Sequence, residues 1–397
     1  MNRSNNRIIR NIRDHTGKAQ VLVMILFFVF SLPGCIEPYI ADIEDEPELL
    51  SIEASLIKGD RLQKVMISRT SSLSNPVLRP VGSCLVQVED EQGDLYEFTE
   101  EMTGTYYLEM DDADIVPGNN YRLRVITPEG DVYQSEYETL LPGVPVDTVY
   151  YAIEDKVETY TGNPLNGLQF YLDVQAPDSA SRFFRWRIDE TYEYTSQGPI
   201  TYFYWDLSLT PEPPEDVWGV FRCWITDEIQ QIFLANTVNI AVNEKKKIPL
   251  HYVSTETDRL RIKYSLLVNQ FSINEAAYNY FEQNKTAAEG TGSLYTKQPE
   301  QPITNFYKVD DPDARVLGYF WTATRTKKRI FVDRIQELDV DINFCAVVPF
   351  NIEDHGAGPF PIYIMEDPDT GVRMTGSPYC FDCTRRGGTT EKPSFWE

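Results

Sequence analysis

From residue 49 to about residue 141, apolar and polar residues alternate with a period of two, and that pattern commits the segment to β-strands. Ile52, Ala54 and Leu56 fall on one face. Val65 with Ile67, Val86 with Val88, Tyr96 with Phe98, Tyr106 with Leu108, and then Tyr121, Leu123 and Val125 repeat it. Turn-forming clusters separate the runs: Lys58-Gly59-Asp60, Gln92-Gly93-Asp94, Pro117-Gly118-Asn119-Asn120 and Pro128-Glu129-Gly130-Asp131. Short strands with a turn signal every ~10 residues predict an antiparallel sandwich, here an immunoglobulin-like or transthyretin-like module over 49–141.

The two prolines of Leu140-Leu141-Pro142-Gly143-Val144-Pro145 end this module and stiffen a linker. A larger region, 147–397, follows. Strands are predicted at 169–174, 182–194, 201–207, 221–226, 232–240, 259–270, 317–324 and 328–333, with another at 340–348. Lys245-Lys246-Lys247 and the basic run 325–329 (RTKKR) read as hairpin turns between them. One helix is expected at about 273–288. Ser272-Ile273-Asn274-Glu275 has the form of a capping box, and Ile273, Ala277, Tyr280 and Phe281 make an apolar stripe at helical spacing. Residues 351–397, rich in turn formers, are expected to be an irregular but anchored tail. The fold class is therefore mainly β: two β-sandwich-like modules, the second with one inserted amphipathic helix.

The N-terminus has a different character. Residues 1–34 carry five basic side chains and one acid, then the apolar run Val21 to Phe30 and Ser31-Leu32-Pro33-Gly34-Cys35. A basic stretch, a short apolar stretch and a small residue before the break form a secretory signal. The run is too short to span a bilayer, which takes roughly 20 apolar residues. Leu-x-Gly-Cys resembles a bacterial lipobox, so Cys35 is the expected lipidation site and the new N-terminus. Residues 35–48, acidic and without period, read as a tether between lipid and fold. The chain's formal charge is −25, and removing the first 34 residues takes the remainder to −29. An acidic body of this kind excludes nucleic acid as a partner, since phosphates demand Lys and Arg.

Five cysteines follow Cys35: Cys84, Cys223, Cys345, Cys380 and Cys383. The odd number leaves at least one unpaired within the chain. Cys380-Phe381-Asp382-Cys383 has the spacing of half a zinc site, but the second pair is missing and only His251 and His355 remain after the signal. A structural disulfide suits an exported chain better, either within this pair or from one member to Cys223 or Cys345. Nucleophile elbows, zinc-protease helices and phosphate-cradling loops are absent, so no catalytic residue, metal or cofactor is expected. Asp111-Asp112-Ala113-Asp114 and Asp310-Asp311-Pro312-Asp313 offer carboxylates for calcium without the spacing of an EF-hand loop, and read as solvated turns. The best hint of binding is aromatic density beside Pro211-Glu212-Pro213-Pro214. Tyr202, Tyr204, Trp205 and Trp218 are candidate binding aromatics, because flat rings bury area at low entropy cost. The bland alternative is that they fill a sandwich core.

Several elements resemble an uncharacterised family of Bacteroidetes lipoproteins known as domain of unknown function 4249. They are Cys223-Trp224, the stretch Val316-Leu317-Gly318-Tyr319-Phe320, the stretch Lys328-Arg329-Ile330-Phe331-Val332-Asp333, and the helix opened by Glu275-Ala276-Ala277-Tyr278. The ending Cys380-x-x-Cys383, Gly387-Gly388 and Lys392-Pro393-x-Phe395-Trp396 resembles it most, while Thr304-Asn305 stands where a Gly-Asn pair is expected. The resemblance implies an outer-membrane lipoprotein, surface-exposed or periplasmic, often encoded near TonB-dependent transporters, and transfers no catalytic residue. The expected function is a non-enzymatic accessory or ligand-binding partner of such a transporter. The alternatives are a surface glycan-acting hydrolase working through paired carboxylates, and a purely structural or adhesive surface protein.

Overall fold

A computed structural model describes residues 48–71, 77–158, 161–211, 218–289, 302–340, 345–357 and 361–397. The signal-like segment 1–34, Cys35 and all but the last residue of the tether lie outside the described residues. Residues 48–397 form one compact unit. It is mainly β, as the alternation requires, and carries a single α-helix among the described residues.

The organising element is a nine-stranded sheet that both regions share. Along it, in order, run Arg222–Asn236, Phe183–Thr195, Lys263–Ile273, Val316–Asp333, Leu50–Lys58, Leu62–Arg69, Thr105–Glu109 and Thr99–Met102, with Arg79–Pro80 paired to the end of Leu62–Arg69. Two smaller sheets cover its two ends. The strands Leu85–Asp90, Leu95–Glu97, Asn120–Ile126, Val132–Ser135 and Phe306–Lys308 close a first core around Ile52, Val65, Tyr106, Leu123 and Phe320. The strands Thr148–Val157, Pro164–Gln175 and Glu244–Ser254 close a second around Phe170, Trp186, Leu250 and Tyr264.

The two sandwiches are thus fused through one sheet. Leu50–Lys58 pairs in parallel with Val316–Asp333, and Phe306–Lys308 pairs with Val132–Ser135, so the first sandwich takes two strands from far along the chain. The linker is no free hinge either. Val144 is buried; its N–H donates to Ser272 Oγ, and its carbonyl accepts from Gln270 and Thr326.

Four local expectations change. The basic run 325–329 is no turn but the middle of the 18-residue strand Val316–Asp333, with Arg325, Lys327 and Arg329 on one face. Lys245-Lys246-Lys247 likewise lies within Glu244–Ser254. The run 221–240, expected as two strands, is one, Arg222–Asn236. At 340–348, the only strand among the described residues is Val347–Pro349.

The helix, Glu275–Glu289, packs Ala277, Tyr278 and Phe281 on the outer face of the shared sheet, against Ile57, Phe271 and Trp321. Its cap is Asn274, whose Oδ1 accepts from Ala277 N at 2.8 Å, and not Ser272, whose hydroxyl the linker has taken. Asn274 and Asn305 also donate to buried Glu138, which accepts from Tyr319 Oη at 2.6 Å. Burial pushes the Glu138 carboxyl up, against these three hydrogen bonds. Asn305 grips the backbone of Phe320 through both its carbonyl and its amide. The Thr304-Asn305 departure therefore keeps a working asparagine.

Candidate functional site

The candidate aromatics sit around a small five-stranded sheet at the C-terminal end, made of Ser208–Pro211, Tyr202–Trp205, Ile362–Glu366, Arg373–Gly376 and Val347–Pro349. Two disulfides brace this part. Cys345 is bonded to Cys380, with Phe381, Ile200, Tyr363 and Met365 packed around it. Cys223, on the shared sheet, is bonded to Cys383. Both cysteines of the C-x-x-C pair therefore reach outward, one to Cys345 and one to Cys223, and among the described residues Cys84 is the free thiol, half-buried.

Tail and sheet are fastened by small contacts that need small residues. Trp224 and Thr389 exchange backbone hydrogen bonds at 2.9 Å. A Cβ on Gly388 would stand 2.7 Å from Tyr194 Oη and 2.8 Å from Cys223 Cβ, so only glycine fits. Trp396 is buried, its Nε1 donating to Glu193, while Phe395 lies under the Arg329 guanidinium at 3.5 Å. These contacts hold the tail against the sheet.

The four candidate aromatics divide. Tyr204 is buried; its hydroxyl donates to the His355 carbonyl at 2.9 Å, and its ring meets Phe350. Tyr202 is half-buried under Arg373, 4.3 Å from the ring centroid. Tyr204 is core and Tyr202 half-covered. Trp205 and Trp218 are 55% and 58% exposed, and those values favour binding over packing. Trp205 opens a two-residue hairpin turn, Asp206-Leu207, with φ of 48° and 60°. A turn with both central residues left-handed matches the twist of a hairpin, but the usual occupants are Asn and Gly. Leu207 holds that conformation at some strain and is 64% exposed, so the tip presents an indole and an isobutyl group to solvent. Trp218 stands edge-on to Phe221 at 4.7 Å.

The acidic runs behave as turns. Asp112 Oδ1 accepts from Gly59 N at 2.7 Å and lines a shallow pocket of about 290 Å³ with Asp111 and Arg61. Lys308 pairs with Asp131 and Asp310. Among the described residues no three His, Cys, Asp or Glu side chains gather closely enough to hold a metal ion.

A group that the sequence reading passed over lies between the shared sheet and its cover. Glu190, 1% exposed, accepts from Tyr264 Oη at 2.8 Å, with Arg259 Nη1 at 3.4 Å and His251 Nε2 at 3.7 Å. Parity was the available signal, since Glu190 shares the buried face of its strand with Trp186 and Ile188. Burial alone would raise its pKa. The imidazole, the guanidinium and the tyrosine hydroxyl outweigh burial and hold it below the ordinary 4.5. A carboxyl depressed by folding stabilises the fold above its unfolded pKa, and that stabilisation is lost as pH falls through the folded value. Denaturant titrations should therefore find wild type more stable than Glu190→Gln at neutral pH, with the gap closing below about pH 4.

No described helix is long and apolar enough to cross a membrane. In comparison with known families, residues 36–329 match the model described as Domain of unknown function (DUF4249). No curated protein matches the chain.

Proposed function

The chain belongs to this family of unknown function, and from that premise we propose a non-enzymatic lipoprotein of the outer membrane that serves a TonB-dependent transporter as an accessory or ligand-binding partner. Cys35 carries the lipid, and the acidic tether holds the folded body away from the bilayer. The hairpin at Trp205 and Leu207, with Trp218, is the docking element.

The carrying observation is the exposure of both tryptophans beside a sheet stapled by Cys345–Cys380. Rigid aromatic anchors are what binding surfaces are built from, because little entropy is lost when they are covered. A core-packing role would have hidden them, as it hides Tyr204.

The test is a pull-down from gently solubilised outer membrane with the lipidated full chain as bait. A TonB-dependent transporter should co-purify. Trp205→Ala/Trp218→Ala should weaken the complex by about 2 kcal/mol or more, roughly thirtyfold in Kd, with thermal stability unchanged. Recovery of no transporter, or equal recovery with the double variant, would overturn the reading.

A further inference from the structure

On a chain with 36 basic and 61 acidic residues, five cations collect on the outer face of the shared sheet. Arg185 and Arg187 come from Phe183–Thr195, and Arg325, Lys327 and Arg329 from Val316–Asp333. The register fixes their spacing. Arg185 and Arg325 both lie opposite Phe271, and Arg187 and Lys327 both lie opposite Asn269. With strands ~4.8 Å apart and alternate residues ~6.6 Å apart, the charges occupy a mesh of about 10 by 7 Å.

Three acids at this face, Asp60, Glu228 and Asp189, offset the cations in part and leave positive charge in excess. Asp60 is paired with Arg325. Arg187 is in ion-pair range of Asp60 and Glu228, each at 3.9 Å, longer than a charge-assisted hydrogen bond. Asp189 accepts from Asn269 and lies, like Arg329, opposite Leu267, where its charge acts on that guanidinium. Arg185 has no carboxylate in ion-pair range among the described residues. Its guanidinium lies 4.1 Å from the Phe281 ring and 4.9 Å from Trp321. Arg329 donates to Ser265 Oγ and stacks on Phe395, and Lys327 is exposed. The Nε atoms of Arg185 and Arg187 are buried without a hydrogen-bond partner.

Burying a guanidinium without a counter-charge is costly. Burial and the neighbouring Arg187 push Arg185 down to about 10, so it stays charged at neutral pH. Aromatic rings set Arg185 and Arg329 flat at the two ends of the mesh, held before any ligand arrives.

We propose that this face binds a compact multivalent oxyanion, one that bears two or more carboxylate or phosphate groups. A single small anion would meet only one or two of the cations. A long polyanion would run off the mesh onto the acidic surface that gives the chain its −25 charge. Planar guanidinium forks suit carboxylate and phosphate oxygens alike. The site is separate from the tryptophan hairpin and stands whether or not a transporter docks there.

Calorimetric titration of the folded chain with citrate and, separately, pyrophosphate tests it. At least one should bind saturably, more weakly as salt rises, and the anion preferred names the ligand's chemistry. Arg187→Gln/Lys327→Gln should weaken binding about tenfold or more, the effect of losing two charge-assisted contacts. Lys245→Gln/Lys246→Gln removes the same charge elsewhere and should leave binding unchanged, as should Trp205→Ala/Trp218→Ala. Binding of neither anion overturns the proposal. So does an equal loss in the Lys245/Lys246 control, which would mark a general charge effect.

Discussion

Cys223→Ala/Cys383→Ala should lower the free energy of unfolding by roughly 5 kcal/mol, the chain-entropy cost of releasing a loop of this size. The bond joins residues 160 apart, whereas Cys345–Cys380 joins residues 35 apart and is expected to contribute roughly 4 kcal/mol on the same basis. The first removal also does local damage. Cys223 and Cys383 are fully buried beside Tyr194, whose hydroxyl donates to the Cys383 carbonyl, and the bond seats the turn that leads to Gly388 and Trp396. Urea titrations of the two double variants should therefore rank them, with Cys223/Cys383 the less stable. The expectation fails if Cys345→Ala/Cys380→Ala loses more, or if reductant leaves the wild-type midpoint where it was.

Gly318→Ala is the second large effect. Gly318 sits in Val316–Asp333 directly opposite Ile52 at the parallel junction, with φ of +95°. A Cβ there would stand 2.0 Å from the Ile52 carbonyl oxygen and 2.6 Å from its carbon. Both atoms are backbone in a buried strand, so the alanine cannot be accommodated by a rotamer change. Left-handed strain costs about 1–3 kcal/mol, and forcing the strands apart adds a similar amount, so a loss of about 3–4 kcal/mol is expected. Because the junction closes the first core, the whole molecule and not a loop should be affected. Hydrogen exchange should show protection falling together in Leu50–Lys58 and Val316–Asp333. Wild-type protection in both strands would refute the argument.

Gly318 also marks how far the sequence could be read. Alternation identified strands and the face each would bury, as at Ile52, Val65 and Tyr121, because a period of two is local. It could not name neighbours. Nothing near Leu50 says that its partner lies beyond residue 315, so the first region reads as a self-contained sandwich. The basic run 325–329 reads as a turn on composition, although Arg325, Lys327 and Arg329 keep the strand's period with Thr326 and Lys328 between them. At the helix start, Ser272 and Asn274 are both good capping residues, and tertiary contact decided: the linker amide of Val144 occupies Ser272. At the candidate site, residue type alone grouped four aromatics. Tyr204 is core and Tyr202 half-covered, because whether a ring faces protein or solvent depends on packing from Phe350, His355 and Arg373.

The parallel seam between Leu50–Lys58 and Val316–Asp333 sets the order of assembly. A polypeptide made amino-end first delivers its opening strand long before the partner that must lie alongside it. Until some 260 further residues have emerged, that strand's hydrogen-bonding edge stays bare on the Val316 side. High contact order makes such closure slow, and an open edge is a template for unwanted pairing with other chains. The leading segment is therefore the part of this fold most exposed to mispairing until the trailing one arrives.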